Sequence, residues 1–201
     1  MTTLFLVRHG QTDWNVQGRY TGQSDIPLNA LGRRQAHAAA SQLADLSPSA
    51  VYTSDLQRAY ETARIIAQRC TLPLYTDVRL REINQGVWEG LLLDEIKARY
   101  AAEFARRAAD PVHIAPPGGE RVGAVQTRVL NAVADIVAAF PAQQVVVASH
   151  GLALALIKAY YSGHSITQAW DLIPPNATVE QVEVVAPPRG DDSKQPPHSR
   201  P

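Results

Sequence analysis

Two segments of the chain repeat one arrangement. Leu4-Phe5-Leu6-Val7-Arg8-His9-Gly10 stands near the start, and Val145-Val146-Val147-Ala148-Ser149-His150-Gly151 stands far downstream. In each, a short apolar run ends in a polar residue, a histidine and a glycine. Continuous aliphatic runs of this length read as strands buried on both faces, the kind that fill a parallel sheet covered by helices. In open sheets of that type, ligands bind at the carboxyl ends of the strands, near the point where strand order reverses. A glycine there lets the backbone approach a ligand closely. A helix beginning near Gly151 would present N–H groups and a positive dipole end to an anion.

The rest of the chain alternates in the same sense. Strands are expected over 50–54, 72–76 and 178–185, and helices over 31–46, 56–70, 94–109, 122–140 and 151–161. Asn29 is a possible cap for the helix over 31–46. Leu56, Ala59, Ala63, Ile66 and Ala67 share one face at helical spacing. The helix over 151–161 is apolar almost all round, so it is expected to be buried. Strands alternating with helices predict an α/β domain with a largely parallel sheet. With 201 residues, 45% of them hydrophobic, one domain with a sizeable core is expected over 1–186. Pro111, Pro116, Pro117, Gly118 and Gly119 make 110–120 a loop, within a lid or specificity region at about 91–120. Five prolines and no apolar run predict a disordered tail over 187–201, in which His198 has no role.

Charge and cysteine count narrow the function. Nineteen basic and nineteen acidic residues give a net charge of zero, so neither nucleic acid nor an anionic membrane is the expected partner. One cysteine, Cys70, excludes an internal disulfide and a multi-thiolate metal site. No signal peptide or membrane span is read, and the expected location is the cytoplasm.

Arg8 adjoins His9, and Arg58 opens the helix after the strand at 50–54. Two arginines and two imidazoles at one sheet edge suit a tetrahedral dianion, because guanidinium binds phosphate oxygens in bidentate fashion. Arg58 has a plainer alternative, a solvated residue paired with Asp55 or Glu61. In Leu80-Arg81-Glu82-Ile83-Asn84-Gln85-Gly86-Val87-Trp88-Glu89-Gly90, a carboxyl held against apolar groups can serve as general acid. The pattern does not choose between Glu82 and Glu89.

These residues fall in an ordered set. Arg8-His9-Gly10-Gln11-Thr12, Asn15, Gly18-Arg19-Tyr20-Thr21-Gly22, Pro27-Leu28, Gly32, Thr53-Ser54-Asp55-Leu56-Gln57-Arg58-Ala59, Thr62-Ala63, Leu80-Arg81-Glu82, Gly86-Val87-Trp88-Glu89-Gly90, Pro117-Gly118-Gly119-Glu120 and Ser149-His150-Gly151 follow one another. The chain thereby resembles the histidine phosphatase superfamily, whose best-known branch is the cofactor-dependent phosphoglycerate mutases. The resemblance implies a three-layer α/β/α sandwich with a central, mostly parallel sheet. It implies His9 as nucleophile, Arg8, Arg58 and His150 on the phosphoryl oxygens, and Glu82 as proton donor. Asn15, Thr21 and Gly22 would line the substrate side, and Gly151 would lie against the phosphate. It implies no metal and no cofactor, a small-molecule phosphomonoester as partner, and leaves a homodimer open.

Within that family, Ile83 stands where mutases usually carry arginine, and Leu152 where they usually carry asparagine. The tract from Glu82 to Gly90 instead resembles broad-specificity and α-ribazole phosphatases, although Arg121 departs from the serine common there. Hydrolysis through a phosphohistidine is therefore expected, with mutase-type transfer and a non-catalytic regulator as alternatives. A metallohydrolase lacks its clustered histidines. A serine hydrolase lacks its nucleophile elbow, because Ser149 is not preceded by the required glycine.

Overall fold

The computed structural model describes residues 1–185, and the expected tail, His198 included, lies outside them. The strands are β1 (Thr2–Arg8), β2 (Ala50–Thr53), β3 (Leu74–Thr76), β4 (Gln144–Ser149) and β5 (Val179–Val184). They form one sheet in the order β3-β2-β4-β1-β5. The first four are parallel, and β5 runs antiparallel to β1 at an edge. The helices are α1 (Asp13–Gln17), α2 (Ala30–Ala44), α3 (Gln57–Cys70), α4 (Leu93–Arg99), α5 (Ala101–Ala109), α6 (Val122–Ala139) and α7 (Gly151–Tyr161).

Alternation along the central strands builds the layers. Leu4, Leu6, Val145 and Val147 point into one core with α6 and α7. Phe5, Val7, Val146 and Ala148 point into a second core with α2 and α3. Ala36, Ala39 and Ala40 of α2 are buried against Ala63, Ile66 and Ala67 of α3, and the small side chains let the two helices lie close. Asn29 caps α2, its Oδ1 accepting from the Gly32 N–H at 2.8 Å. By length and composition α6 could cross a bilayer, but its face of Val122, Val125, Val129, Ala132, Val133, Ile136 and Val137 is buried in the first core.

Two expected elements differ. The helix read over 94–109 is α4 and α5, broken at Tyr100 (φ −131°, ψ 39°) with no glycine or proline to mark the break. α4 buries Ile96 and α5 buries Arg107. The strand read over 72–76 starts at Leu74, because the Leu72 N–H closes α3 on the Ala67 carbonyl and Thr71 is left-handed at φ 56°. The short 3-10 turns Val78–Leu80, Gly86–Trp88 and Ile166–Leu172, and α1 itself, were not expected from pattern.

Candidate active site

The repeated strand-histidine arrangement becomes a site through register. Arg8 lies opposite Ser149 across β1 and β4, so His9 and His150 leave the sheet side by side. The His9 N–H donates to the Ser149 carbonyl at 2.9 Å, and the ring centroids are 5.3 Å apart. Thr53 of β2 lies opposite Ala148, which brings Ser54 level with Ser149, and Ser54 Oγ is 2.7 Å from His150 Nε2. One residue into α3, Arg58 turns back toward this edge and is 1% exposed. Its Nη1 and Nη2 donate to the Ser24 and Gly22 carbonyls at 2.7 Å each. The plainer pairing of Arg58 does not form: Asp55 binds Arg81 and Glu61 binds Arg33.

Hydrogen bonding fixes the roles of the imidazole nitrogens. His9 Nδ1 is 2.7 Å from the Gly10 carbonyl. A carbonyl only accepts, so the proton is assigned to Nδ1 and the Nε2 lone pair is free. Burial, then the charges of Arg58 and Arg8, hold the His9 pKa well below 6.5, against the opposing pull of the Gly10 hydrogen bond. Burial and Arg58 do the same to His150. Ser54 Oγ accepts from the Leu56 N–H, and His150 Nε2 is the acceptor that its own hydrogen meets; with that hydrogen assigned to Nε2, the His150 proton is assigned to Nδ1. That Nδ1, with Arg8 Nε and Arg58 Nε, is buried without a hydrogen-bond partner. Three buried polar groups left open at one sheet edge are costly in an empty site and suited to receiving anion oxygens.

The carboxylates separate clearly. Glu89 accepts from the Gln23 and Gln85 N–H groups through Oε1 and from Ser24 Oγ through Oε2. It is a structural clasp for the loop after Tyr20. Gly22 is required beneath it: its φ is +53°, and a Cβ there would sit 2.1 Å from Glu89 Oε1. Glu82 instead lines a cleft of about 260 Å³ together with Arg8, Gly22, Ile83, Gly151 and Leu152. Its Oε2 accepts from the Leu152 N–H and its Oε1 from the Ile83 N–H. One of the N–H groups at the start of α7 is thus taken by Glu82. Gly151 lies against Ile173 and Arg8: a Cβ on it would press on Ile173 Cγ2 at 3.1 Å and make ordinary contact with Arg8 Cζ at 3.6 Å.

Of the expected residues, Arg8, His9, Arg58, Glu82, His150, Gly22 and Gly151 meet at this edge. Asn15 and Thr21 are not part of the cleft wall. Asn15 completes a capping box with Thr12 at the start of α1, and Thr21 Oγ1 reaches back to the Arg19 carbonyl. Several positioning roles escaped the sequence reading. Thr62 Oγ1 accepts from the Gly10 N–H, Asn176 Nδ2 donates to the His9 carbonyl, and the Pro174 carbonyl accepts from Arg8 Nη1. The visible signal for the last two was Pro174-Pro175-Asn176, a rigid turn feeding β5. Arg128 of α6 donates to the carbonyls of Arg79, Arg81 and Glu82 and pairs with Glu120, so it clamps the segment that carries Glu82.

The family model described as histidine phosphatase superfamily (branch 1) matches residues 4–186. The chain belongs to that superfamily. Its relatives are named as phosphatases and as phosphoglycerate mutases. A glucosyl-3-phosphoglycerate phosphatase of Mycobacterium tuberculosis is 41% identical over 165 residues, 78% of this chain and 73% of that protein. A probable phosphoglycerate mutase of Yersinia pestis is 36% identical over 158 residues, again 78% and 73%. The crystal structure of the α-ribazole phosphatase of Shigella flexneri superposes with a TM-score of 0.84 at 29% identity, covering 91% of each chain. The histidine phosphatase fold is thus shared across both kinds of relative, and with it the mostly parallel sheet and its flanking helices.

Proposed function

We propose that the chain hydrolyses phosphomonoesters by two displacements at His9, without a metal ion. The observation that carries this reading is the set of open groups at the sheet edge: a bare His9 Nε2 beside unpartnered Arg8 Nε, Arg58 Nε and His150 Nδ1. His9 Nε2 attacks phosphorus as the ester P–O bond breaks, and Glu82 gives its proton to the leaving oxygen. Water then attacks the phosphohistidine and returns a proton to Glu82 as the P–N bond breaks. Arg8, Arg58 and His150 hold the equatorial oxygens, which is the main demand of phosphoryl transfer. The guanidinium groups supply the positive charge that a metal ion supplies elsewhere.

Hydrolysis rather than mutase-type transfer is favoured by Ile83 and Leu152, which put apolar side chains on the cleft wall beside Glu82. Asn15 and Thr21 are assigned a supporting place behind the substrate loop, and Gly22 a place on its wall. The test combines activity in a chelator with alkaline denaturing quench of the reaction on p-nitrophenyl phosphate. Expected are undiminished turnover with chelator and base-stable, acid-labile phosphate on His9. Turnover that returns only with a divalent ion, or phosphate on His150, overturns the proposal.

A further inference from the structure

The two buried imidazoles leave opposite nitrogens open. His9 keeps Nε2 bare, because its Nδ1 is held by the Gly10 carbonyl at 2.7 Å. His150 keeps Nδ1 without a hydrogen-bond partner, while its Nε2 lies 2.7 Å from Ser54 Oγ. Burial and the charge of Arg58 favour the neutral form of both rings. A neutral imidazole has one hydrogen to give, so the nitrogen that carries it decides whether the open edge can attack or donate.

For His9 a carbonyl makes that choice, and a carbonyl only accepts. For His150 the choice falls to a hydroxyl, which can play either part. Its direction is set from the side away from the ring. Ser54 Oγ accepts from the Leu56 N–H at 3.2 Å, and among the described residues its own hydrogen has no acceptor other than His150 Nε2. Ser54 is 0% exposed, and a buried O–H without an acceptor is costly. The bond to Leu56 also closes a local turn just before α3, the helix that carries Arg58. One hydroxyl thus joins the His150 ring to the start of the Arg58 helix.

We infer that Ser54 is a positioning residue for phosphoryl transfer: it holds the His150 hydrogen on Nδ1 and so makes a neutral imidazole a donor to a phosphoryl oxygen. The inference rests on the reading of this sheet edge as a phosphoryl site. His9 and His150 are then the same tautomer used from opposite edges, one as nucleophile and one as donor. Without the Ser54 hydroxyl the hydrogen distributes between the two nitrogens of His150. A ring whose Nδ1 is bare turns a lone pair toward the anion, so apparent affinity falls with the fraction of rings that can still donate.

Two-bond proton–nitrogen NMR spectra of the intact chain at pH 7.5 read the tautomers directly, with His9→Gln and His150→Gln identifying the two rings. Expected is a hydrogen on Nδ1 in both. In Ser54→Ala the His9 ring should be unchanged and the His150 hydrogen should appear on Nε2 as well. Calorimetric binding of inorganic phosphate to Ser54→Ala should weaken roughly 10-fold, the scale of one hydrogen bond. A role confined to the turn before α3 would lower Tm and leave the His150 tautomer as it is. A hydrogen on His150 Nε2 in the intact chain overturns the inference without need of a variant, and so does a Ser54→Ala chain in which either the tautomer or the phosphate affinity is unchanged. Neither readout involves turnover: if phosphomonoesters bind and are not hydrolysed, the hydrolase reading fails and the place of Ser54 stands.

Discussion

Removing the charge from two buried imidazoles has a thermodynamic consequence that needs no substrate. His9 and His150 are 4% and 0% exposed, and both have pKa values held well below 6.5 by burial and by Arg58. The unfolded chain binds a proton at each as pH falls through 6.5, and the folded chain does not. Stability is therefore fully present above 6.5, and falls with pH between that value and the folded pKa. Linkage from a reference pKa of 6.5 sets an upper bound on the loss of about 1.4 kcal/mol per histidine between pH 7.5 and 5.5, so about 2.7 kcal/mol for the pair. For a domain of this size that is a drop in Tm of roughly 5–10 °C. Carboxylates whose pKa is lowered, such as Asp55, Asp77 and Glu120, act below about pH 5 and leave this window clear. The assay is calorimetric melting at pH 7.5, 6.5 and 5.5 in buffer free of phosphate and sulfate. His9→Gln and His150→Gln should each remove about half of the slope. A Tm that stays flat in the intact chain, or a slope that neither substitution changes, would refute the electrostatic account of the site.

Two further outcomes separate the carboxylates and their support. Glu82→Gln should cost about 10²–10⁴ in kcat on alkyl phosphates and much less on p-nitrophenyl phosphate, with Tm nearly unchanged. Glu89→Gln should instead lower stability by about 1–3 kcal/mol, because an amide nitrogen then faces N–H or O–H donors; the reverse pattern means that the acid is Glu89. Arg128→Gln frees the carbonyls of Arg79, Arg81 and Glu82, so it should lower kcat on alkyl phosphates more than it raises KM and shift the acid limb of the pH profile. An unchanged pH profile reduces Arg128 to a stabilising contact.

The sequence made the sheet edge legible because its signals are local. Four apolar residues and a glycine mark each of β1 and β4, and identical length from strand to histidine already implies that His9 and His150 emerge level if the strands are neighbours. What it withheld was distance. Glu82 and Glu89 look alike in a string, and only their hydrogen bonds show that one clasps a loop while the other lines the cleft. Arg107 is one of five cations in 91–120, and pattern favours none of them. The break at Tyr100 carries no glycine or proline, so it is invisible locally. Asn15, for which the resemblance implied a place beside the substrate, uses its Oδ1 to accept from the Thr12 N–H in the cap of α1.

The charge count at the sheet edge connects these observations to the chemistry. Burial lowers the pKa of both Arg8 and Arg58, Arg58 to about 10, with Glu82 the largest opposing influence on each. Both guanidinium groups remain charged at neutral pH, and with neutral imidazoles they form two positive charges in a poorly solvated place. The proposed reaction starts from a phosphomonoester dianion and a proton on Glu82, a combination that balances the two guanidinium charges. In that proposed reaction the proton passes to the leaving oxygen, the alcohol departs neutral and Glu82 gains a negative charge. The His9 ring, now bonded to phosphorus, gains a positive one. The site is therefore neutral before the transfer and neutral after it. The new positive charge is on the ring whose Nδ1–H already donates to the Gly10 carbonyl, so the hydrogen bond that frees Nε2 for attack is also the one that strengthens as the phosphohistidine forms. A low-dielectric site tolerates this reaction because charge is moved within it and not created.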